Sequence, residues 1–284
     1  DGTSIHGALT SLATALMSRG ANRSAETFLE EALHRARRRG ARRAEGVTLA
    51  LLANLNVDLG NWHASENFYE QALAIHREIG NRRYETVVLA NLGNLHLHQD
   101  HFDKAEMQYR LALERNRAVG DQYFESIVRG NIGVACMFQQ QYDESEAMMI
   151  RAIALQKQIK DKRTEGYFRS YFGALYARTG RLDEADAMLT TAKELLATVG
   201  DPGGVVFNSI CTAILEWMRA MDAKKRGATQ EAEEWQAEVI QRTLQAECPH
   251  PSFGEGPNER IPAEENEDVR IALRLLRQTQ GDPT

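Results

Sequence analysis

A period of 40 residues constrains this chain more than any other feature. Gly40, Gly80, Gly120 and Gly200 recur at that spacing, and Lys160 takes the remaining slot. Asn81, Asp121, Asp161 and Asp201 follow directly, and Glu45, Glu85, Glu125 and Glu165 hold the same register. Next comes a large–small pair: Leu52-Ala53, Leu92-Gly93, Ile132-Gly133 and Phe172-Gly173. Small residues at 65, 105, 145 and 185 precede Tyr69, Tyr109, Met149 and Leu189, and the row Ala72, Ala112, Ala152 and Ala192 closes the set. Leu12-Ala13, Ala25, Leu29 and Ala32 carry the columns back into the first 40 residues. A fixed period of this length marks a unit that cannot bury its apolar face alone and must stack on its neighbours.

Each column has a physical reason. Val88, Leu89, Leu92 and Leu95 form a helical stripe, and Phe102, Ala105, Tyr109, Ala112, Leu113 and Val119 form a second one. Gly93 or Gly133 on the first helix, with Ala105 and Ala112 on the second, lets two backbones approach closely. The terminal glycine supplies the left-handed residue that ends a helix. The Asn or Asp after it suits the next helix start. Gly60-Asn61, Asp100-His101, Gln140-Gln141 and Gly180-Arg181 leave room only for a short connection within each pair. Trp62 shares a column with Phe102 and Tyr142, so it reads as a packing residue.

The columns Leu92, Gly93, Ala105, Tyr109 and Ala112 resemble those of the tetratricopeptide repeat. The 40-residue spacing, with Gly-Asp and then Glu between units, is similar to arrays in bacterial signalling ATPases, LuxR-type regulators and animal polarity adaptors. The closing proline of that family is absent, replaced by the longer Gly-Asn/Asp link. The resemblance covers about residues 1–200 well and 201–247 loosely. It implies an all-α, right-handed superhelical solenoid of antiparallel helix pairs. Units are expected at about 4–40, 41–80, 81–120, 121–160 and 161–200, with an irregular sixth at 201–247. In that sixth unit Gly227 arrives seven residues later than Gly180 dictates, so its first helix is expected to be overlong. A Pro/Gly loop at 248–263 and a capping helix at 264–279 complete the reading. There Val269, Ala272, Leu273 and Leu276 oppose Arg270, Arg274 and Arg277. The run from Glu267 to Arg277 also resembles the tails of large bacterial ATPase-type regulators.

Composition narrows the function. Hydrophobic residues make up 43% of the 284-residue chain and charged residues 26%, which suits a packed array with a solvated surface. Apart from Pro202, every proline lies after Cys248, so the rest is free of that helix breaker. The net charge of −6 argues against general nucleic-acid binding. No apolar run approaches the roughly 20 residues of a membrane helix, and no secretory leader is read at the start. A cytoplasmic protein is expected, and a sequence opening on Asp1 is expected to be a piece of a longer one. Three scattered cysteines, Cys136, Cys211 and Cys248, make neither a disulfide framework nor a zinc motif.

No phosphate loop, nucleophile elbow, His-Glu-x-x-His or Cys-x-x-Cys motif is present, so no catalytic residue, cofactor or metal is expected. His96, His98 and His101 lack the i, i+4 spacing of helical metal ligands. Arg35, Arg37, Arg38, Arg39, Arg42 and Arg43 form a basic block, which reads as a helix C-terminus favouring cations and the start of the next helix.

The family resemblance places the first helix of each unit on a concave groove. Carrying its columns across selects Asn54, Asp58, Val87, Asn91, Asn94, His98, Asn131, Val134, Met137, Phe138, Tyr171 and Arg178. Asparagine is a poor helix former, yet Asn54 and Asn94 lie one repeat apart, as do Asn91 and Asn131. Amides both donate and accept, so these rows suit an extended peptide backbone. The apolar members are expected to add contact, and the asparagines to be replaceable with little effect on stability. The expected function is a protein- or peptide-binding scaffold or sensor module of a larger bacterial regulator. Recognition of a small effector or nucleic acid, and self-assembly, are the alternatives.

Overall fold

The chain folds as an all-α helical-repeat solenoid in which consecutive helices pack in pairs. The structure, a computed structural model, describes residues 2–228, 230, 239 and 274–279. The 248–263 loop and most of the 264–279 helix, including Val269 and Leu273, lie outside them. Among the described residues there is no β-strand, and no helix is long and apolar enough to cross a membrane.

Two compact units are distinguished, Asp1–Ala135 and Cys136–Thr284. The first holds α1 (Gly2–Met17), α2 (Asn22–Arg38), α3 (Arg42–Asp58), α4 (Trp62–Glu78), α5 (Arg82–His98) and α6 (Phe102–Asn116). Helix α7 (Gln122–Phe138) begins there and ends in the second unit. The second holds α8 (Tyr142–Ile159), α9 (Lys162–Arg178), α10 (Leu182–Thr198) and α11 (Pro202–Lys225). Within the first unit α1 packs on α2, α3 on α4 and α5 on α6, and α2 on α3 and α4 on α5 join the pairs. The second repeats the scheme with α8 on α9, α9 on α10 and α10 on α11. Helix α11 runs 24 residues against 17 in α9.

Close approach depends on the small column. A Cβ on Gly93 would stand 2.6 Å from Tyr109 Cδ1, and one on Gly173 would stand 2.5 Å from Leu189 Cγ. Ala105, Ala112, Ala185 and Ala192 on the facing helices are fully buried. A second small–large match lies at the other end of the pair. A Cβ on Gly46 would meet His76 Cε1 at 2.8 Å, and one on Gly166 would meet Leu196 Cγ at 2.7 Å.

Each of the helices α1 to α10 is followed by a left-handed residue at half the sequence period. Gly20, Gly40, Gly60, Gly80, Gly120, Gly180 and Gly200 have positive φ, and so do Asp100, Gln140 and Lys160 in the same register. At the α3–α4 turn the Gly60 N–H donates to Val57 O (2.9 Å) and Asn61 N–H to Asn56 O (2.8 Å). This is the paired bonding that satisfies the last carbonyls of a helix. The residue after the turn caps the next helix only where it is Asp. Asp121, Asp161 and Asp201 accept from Phe124, Thr164 and Gly204 N–H. Asn61 and Asn81 make no such cap. Their amides turn back instead, toward Asn56 Oδ1 and His76 Nδ1.

Candidate functional site

The two asparagine columns meet. In the first unit Asn91 Nδ2 on α5 donates to Asn54 Oδ1 on α3 (3.3 Å). One repeat on, Asn131 Nδ2 on α7 donates to Asn94 Oδ1 on α5 (3.2 Å). Each accepting oxygen takes a second bond, from the phenol of the paired helix: Tyr69 to Asn54 and Tyr109 to Asn94, the latter at 2.7 Å. Both tyrosine rings are buried, Tyr109 completely. All four asparagines are half-buried. The inward edge of each pair is therefore fixed by the core. The Nδ2 groups of Asn54 and Asn94 and the Oδ1 groups of Asn91 and Asn131 have no partner among the described residues. A donor edge and an acceptor edge thus recur in both repeats, the arrangement an extended peptide backbone matches.

This geometry corrects the expectation that the asparagines are dispensable for folding. Asn54 and Asn94 are the acceptors of buried hydroxyls, and losing a buried donor's partner carries that donor's desolvation cost. The tyrosines read from sequence as packing residues are thus part of the site. A signal for the link lies in the columns. Where Tyr69 and Tyr109 give way to Met149 and Leu189, Asn54 and Asn94 give way to Val134 and Ala174.

The remaining groove positions divide. Val87 is 36% exposed on α5, and Asp58 is exposed at the end of α3. His98 stacks on Trp62 with ring centroids 5.7 Å apart. Val134, Met137, Phe138 and Tyr171 are all buried, contrary to the expectation that they offer apolar surface to a ligand. The physical reason is burial all round the helix. In α7 every residue from Ile132 to Phe138 is buried, and in α9 every residue from Ser170 to Ala177. A helix covered on all sides has no open stripe.

In the second unit the cover on α9 is identifiable. The Tyr171 ring meets Phe207 of α11 at 4.7 Å, and Tyr167 stacks on Phe207 at 5.3 Å. Ser170 Oγ donates to Asn208 Oδ1 at 2.8 Å. Arg178 is half-buried, and its Nη1 donates to Leu275 O and to Thr279 Oγ1, both at 3.2 Å. The C-terminal segment therefore reaches a position that column logic assigned to the groove. Phe207 continues the column of Val87 and Tyr167, but the column does not reveal that it covers α9, and Leu275 carries no repeat signature.

The charged columns turn inward on each other. Arg37 and Arg77 reach across their turns to Glu45 (3.0 Å) and Glu85 (3.1 Å), so these two glutamates tie neighbouring repeats, whereas Glu125 and Glu165 pair with Arg129 and Arg169 on their own helices. Arg42 pairs with Glu45 and Glu78, Arg35 with Glu31, and Arg43 lies over the Tyr84 ring. Most of the basic block is thereby engaged with its own chain. In the second unit Glu146 accepts from Tyr176 and Arg181, and Arg181 lies 3.9 Å from the Tyr176 centroid. Burial and the glutamate push the Tyr176 phenol up to about 12.

A separate cleft in the first unit is lined by Asn61, Trp62, His63, Glu66, His96, Gln99, His101 and Lys104. Burial lowers the pKa of His96 despite the carboxylate of Glu66. Among the described residues no group of three or more His, Cys, Asp or Glu is placed to hold a metal ion.

Comparison with known proteins agrees with this construction. A family model described as tetratricopeptide repeat matches residues 46–118, and a second of the same description matches residues 7–39. No curated protein sequence matches the chain. Among solved structures, BtubC from P. vanneervenii is similar at a TM-score of 0.62 and 18% identity, over 80% of this chain and 93% of that one. A Rap protein complexed with competence and sporulation factor is similar at a TM-score of 0.66 and 15% identity, over 99% and 76%. A signal transduction ATPase with a tetratricopeptide repeat sensor, from Pyrococcus horikoshii, gives 0.66 and 19% over 86% of this chain and 38% of that one. With these repeat matches and the paired helices built on the Gly, Ala and Tyr columns, the chain carries tetratricopeptide repeats, and the solved structures share its helical-repeat fold.

Proposed function

We propose that the chain is a protein-interaction scaffold or sensor module that binds an extended peptide along the asparagine rows of its first unit, within a larger regulatory protein. The observation carrying this reading is the recurrent unused amide edge. Asn54 and Asn94 keep donors, and Asn91 and Asn131 keep acceptors, one repeat apart and oriented by buried tyrosines. An extended ligand meets equivalent polar contacts at successive repeats without folding. Val87 and Asp58 lie on the same helix faces and add an apolar and an acidic contact. The solved Rap structure is complexed with competence and sporulation factor, and the Pyrococcus ATPase carries its repeats as a sensor. Those likenesses support the reading at the level of fold.

The test is selection of random peptides displayed on phage against the chain, followed by calorimetric titration. Peptides so selected are expected to lose about tenfold in affinity with Asn91→Ala or Asn131→Ala, since each neutral hydrogen bond contributes ~0.5–1.5 kcal/mol, and more with both. Equal affinity for the double variant would sink the reading. Recognition of nucleic acid would instead show as binding that falls steeply with salt, and self-assembly as a concentration-dependent mass in light scattering.

A further inference from the structure

The C-terminal segment is seated on the chain itself. Leu275 and Leu276 are 0% and 2% exposed, so both are removed from water. The Leu275 carbonyl and the Thr279 hydroxyl share one donor, Nη1 of Arg178 on α9. Thr279 Oγ1 also donates to Leu275 O at 2.7 Å, which closes one helical turn around the contact. Arg178 is a groove position by column register, so this turn stands where a ligand of that repeat would stand.

The tail satisfies the arginine only in part. Arg178 Nε is buried and has no hydrogen-bond partner among the described residues. Nη1 meets two neutral acceptors. A guanidinium presents donors in a planar fork suited to a carboxylate, and its bonds to an anion are roughly twice as strong as neutral ones. A buried donor left unpaired is costly. The present occupant is therefore an incomplete match to its site.

We propose that the inner face of α9 is a helix-binding site, filled in cis by residues 275–279. Its partner in trans is an amphipathic helix that pairs two adjacent leucines with a carboxylate at the Thr279 position. The leucines take the place of Leu275 and Leu276. The carboxylate meets the Arg178 fork that the threonine leaves half used. A tethered segment competes at an effective concentration set by its link, of the order of millimolar for a short flexible one. A trans helix must therefore bind better than the tail, and the unused arginine donor is what allows it to. The proposal is independent of the asparagine rows, which lie in the other unit.

The experiment uses the full chain and two labelled synthetic peptides, residues 264–284 and the same sequence with Thr279→Glu. Fluorescence anisotropy is expected to show the Thr279→Glu peptide binding the wild-type chain about tenfold more tightly than the parent peptide. Both peptides are expected to bind more tightly still to a chain carrying Leu275→Asp and Leu276→Asp, whose own tail cannot dock. Arg178→Ala is expected to erase the difference between the two peptides. Equal affinities on the wild-type chain, or a difference that survives Arg178→Ala, would overturn the proposal. So would the absence of binding to both the wild-type and the tail-disabled chain. Should the tail-disabled chain fail to fold, hydrogen exchange of the Arg178 segment in a Thr279→Val chain decides. Faster exchange than wild type supports the contact, and unchanged exchange removes it.

Discussion

Helices α5 and α9 occupy the same place in their repeats, and their corresponding faces meet opposite fates. On α5 the face carries Asn91 and Asn94, half-buried, with Val87 36% exposed beside them. On α9 the equivalent positions are Tyr171, Ala174 and Tyr167, and the face is closed by Phe207 and by the tail contact at Arg178. Phe207 belongs to the same column as Val87, yet it is fully buried. One backbone register thus yields an open polar row in the first unit and a filled apolar face in the second. The side chain contributed by the next first helix decides between them. A repeat scaffold fixes which positions share a face, and the residues at those positions decide whether that face stays open or is covered by the chain itself.

Tests of this comparison run from the packing the two faces share to the details that separate them. Gly93→Leu and Gly173→Leu should destabilise their units by a similar ~3 kcal/mol, because each new Cβ already collides with Tyr109 or Leu189. Urea unfolding would read both, and a benign substitution at either site would mean the two helix pairs are not built alike. Asn94→Val should cost ~1–2 kcal/mol by removing the acceptor that Asn94 gives the buried Tyr109 hydroxyl. Adding Tyr109→Met, the combination the next repeat carries as Val134 and Met149, should recover part of that loss in a double-mutant cycle. Strict additivity would show that the Asn–Tyr bond contributes nothing.

Acid should also separate the two units. Burial lowers His76, with Arg43 adding to the effect and Glu85 opposing it, and burial likewise lowers His96 and His6. A histidine whose folded pKa lies below its unfolded one is neutral in the fold. The unfolded state then binds more protons, so stability falls as pH drops below about 6.5. All three histidines lie in the first unit. Hydrogen exchange at pH 5 against pH 7 should therefore show loss of protection around α4 and α5 and little change around α9 and α10. Uniform loss would assign the acid response to other groups. The smallest effect belongs to the turns. Lys160 and Gln140 hold the positive φ that glycine holds elsewhere, so Lys160→Gly and Gln140→Gly should each stabilise by ~1 kcal/mol. A melting temperature that does not rise would indicate that those turns relax at no cost.

The architecture was legible because it rests on local, repeated requirements. A left-handed residue every 20 positions, a small residue where two backbones meet and an alanine row on the second helix each leave a mark in every unit. Asp100, Gln140 and Lys160 hid the half-period because a polar side chain can tolerate the conformation that glycine adopts freely. The asparagine rows were visible as columns, but not their bond to Tyr69 and Tyr109. That bond joins residues 15 apart on paired helices, and its distance and direction exist only once the pair has formed. The burial of Val134, Met137, Phe138 and Tyr171 was out of reach for the same kind of reason. Whether an apolar side chain on a helix face meets water or another chain segment depends on contacts made far along the sequence, such as Phe207 on Tyr171 and Leu275 at Arg178. The sequence by itself determined the helical period, the turn positions and which residues share a face, since these follow from steric rules acting over a few neighbours. Only the tertiary structure decided which of those faces stay open, because occupancy is settled by long-range packing that no local rule encodes.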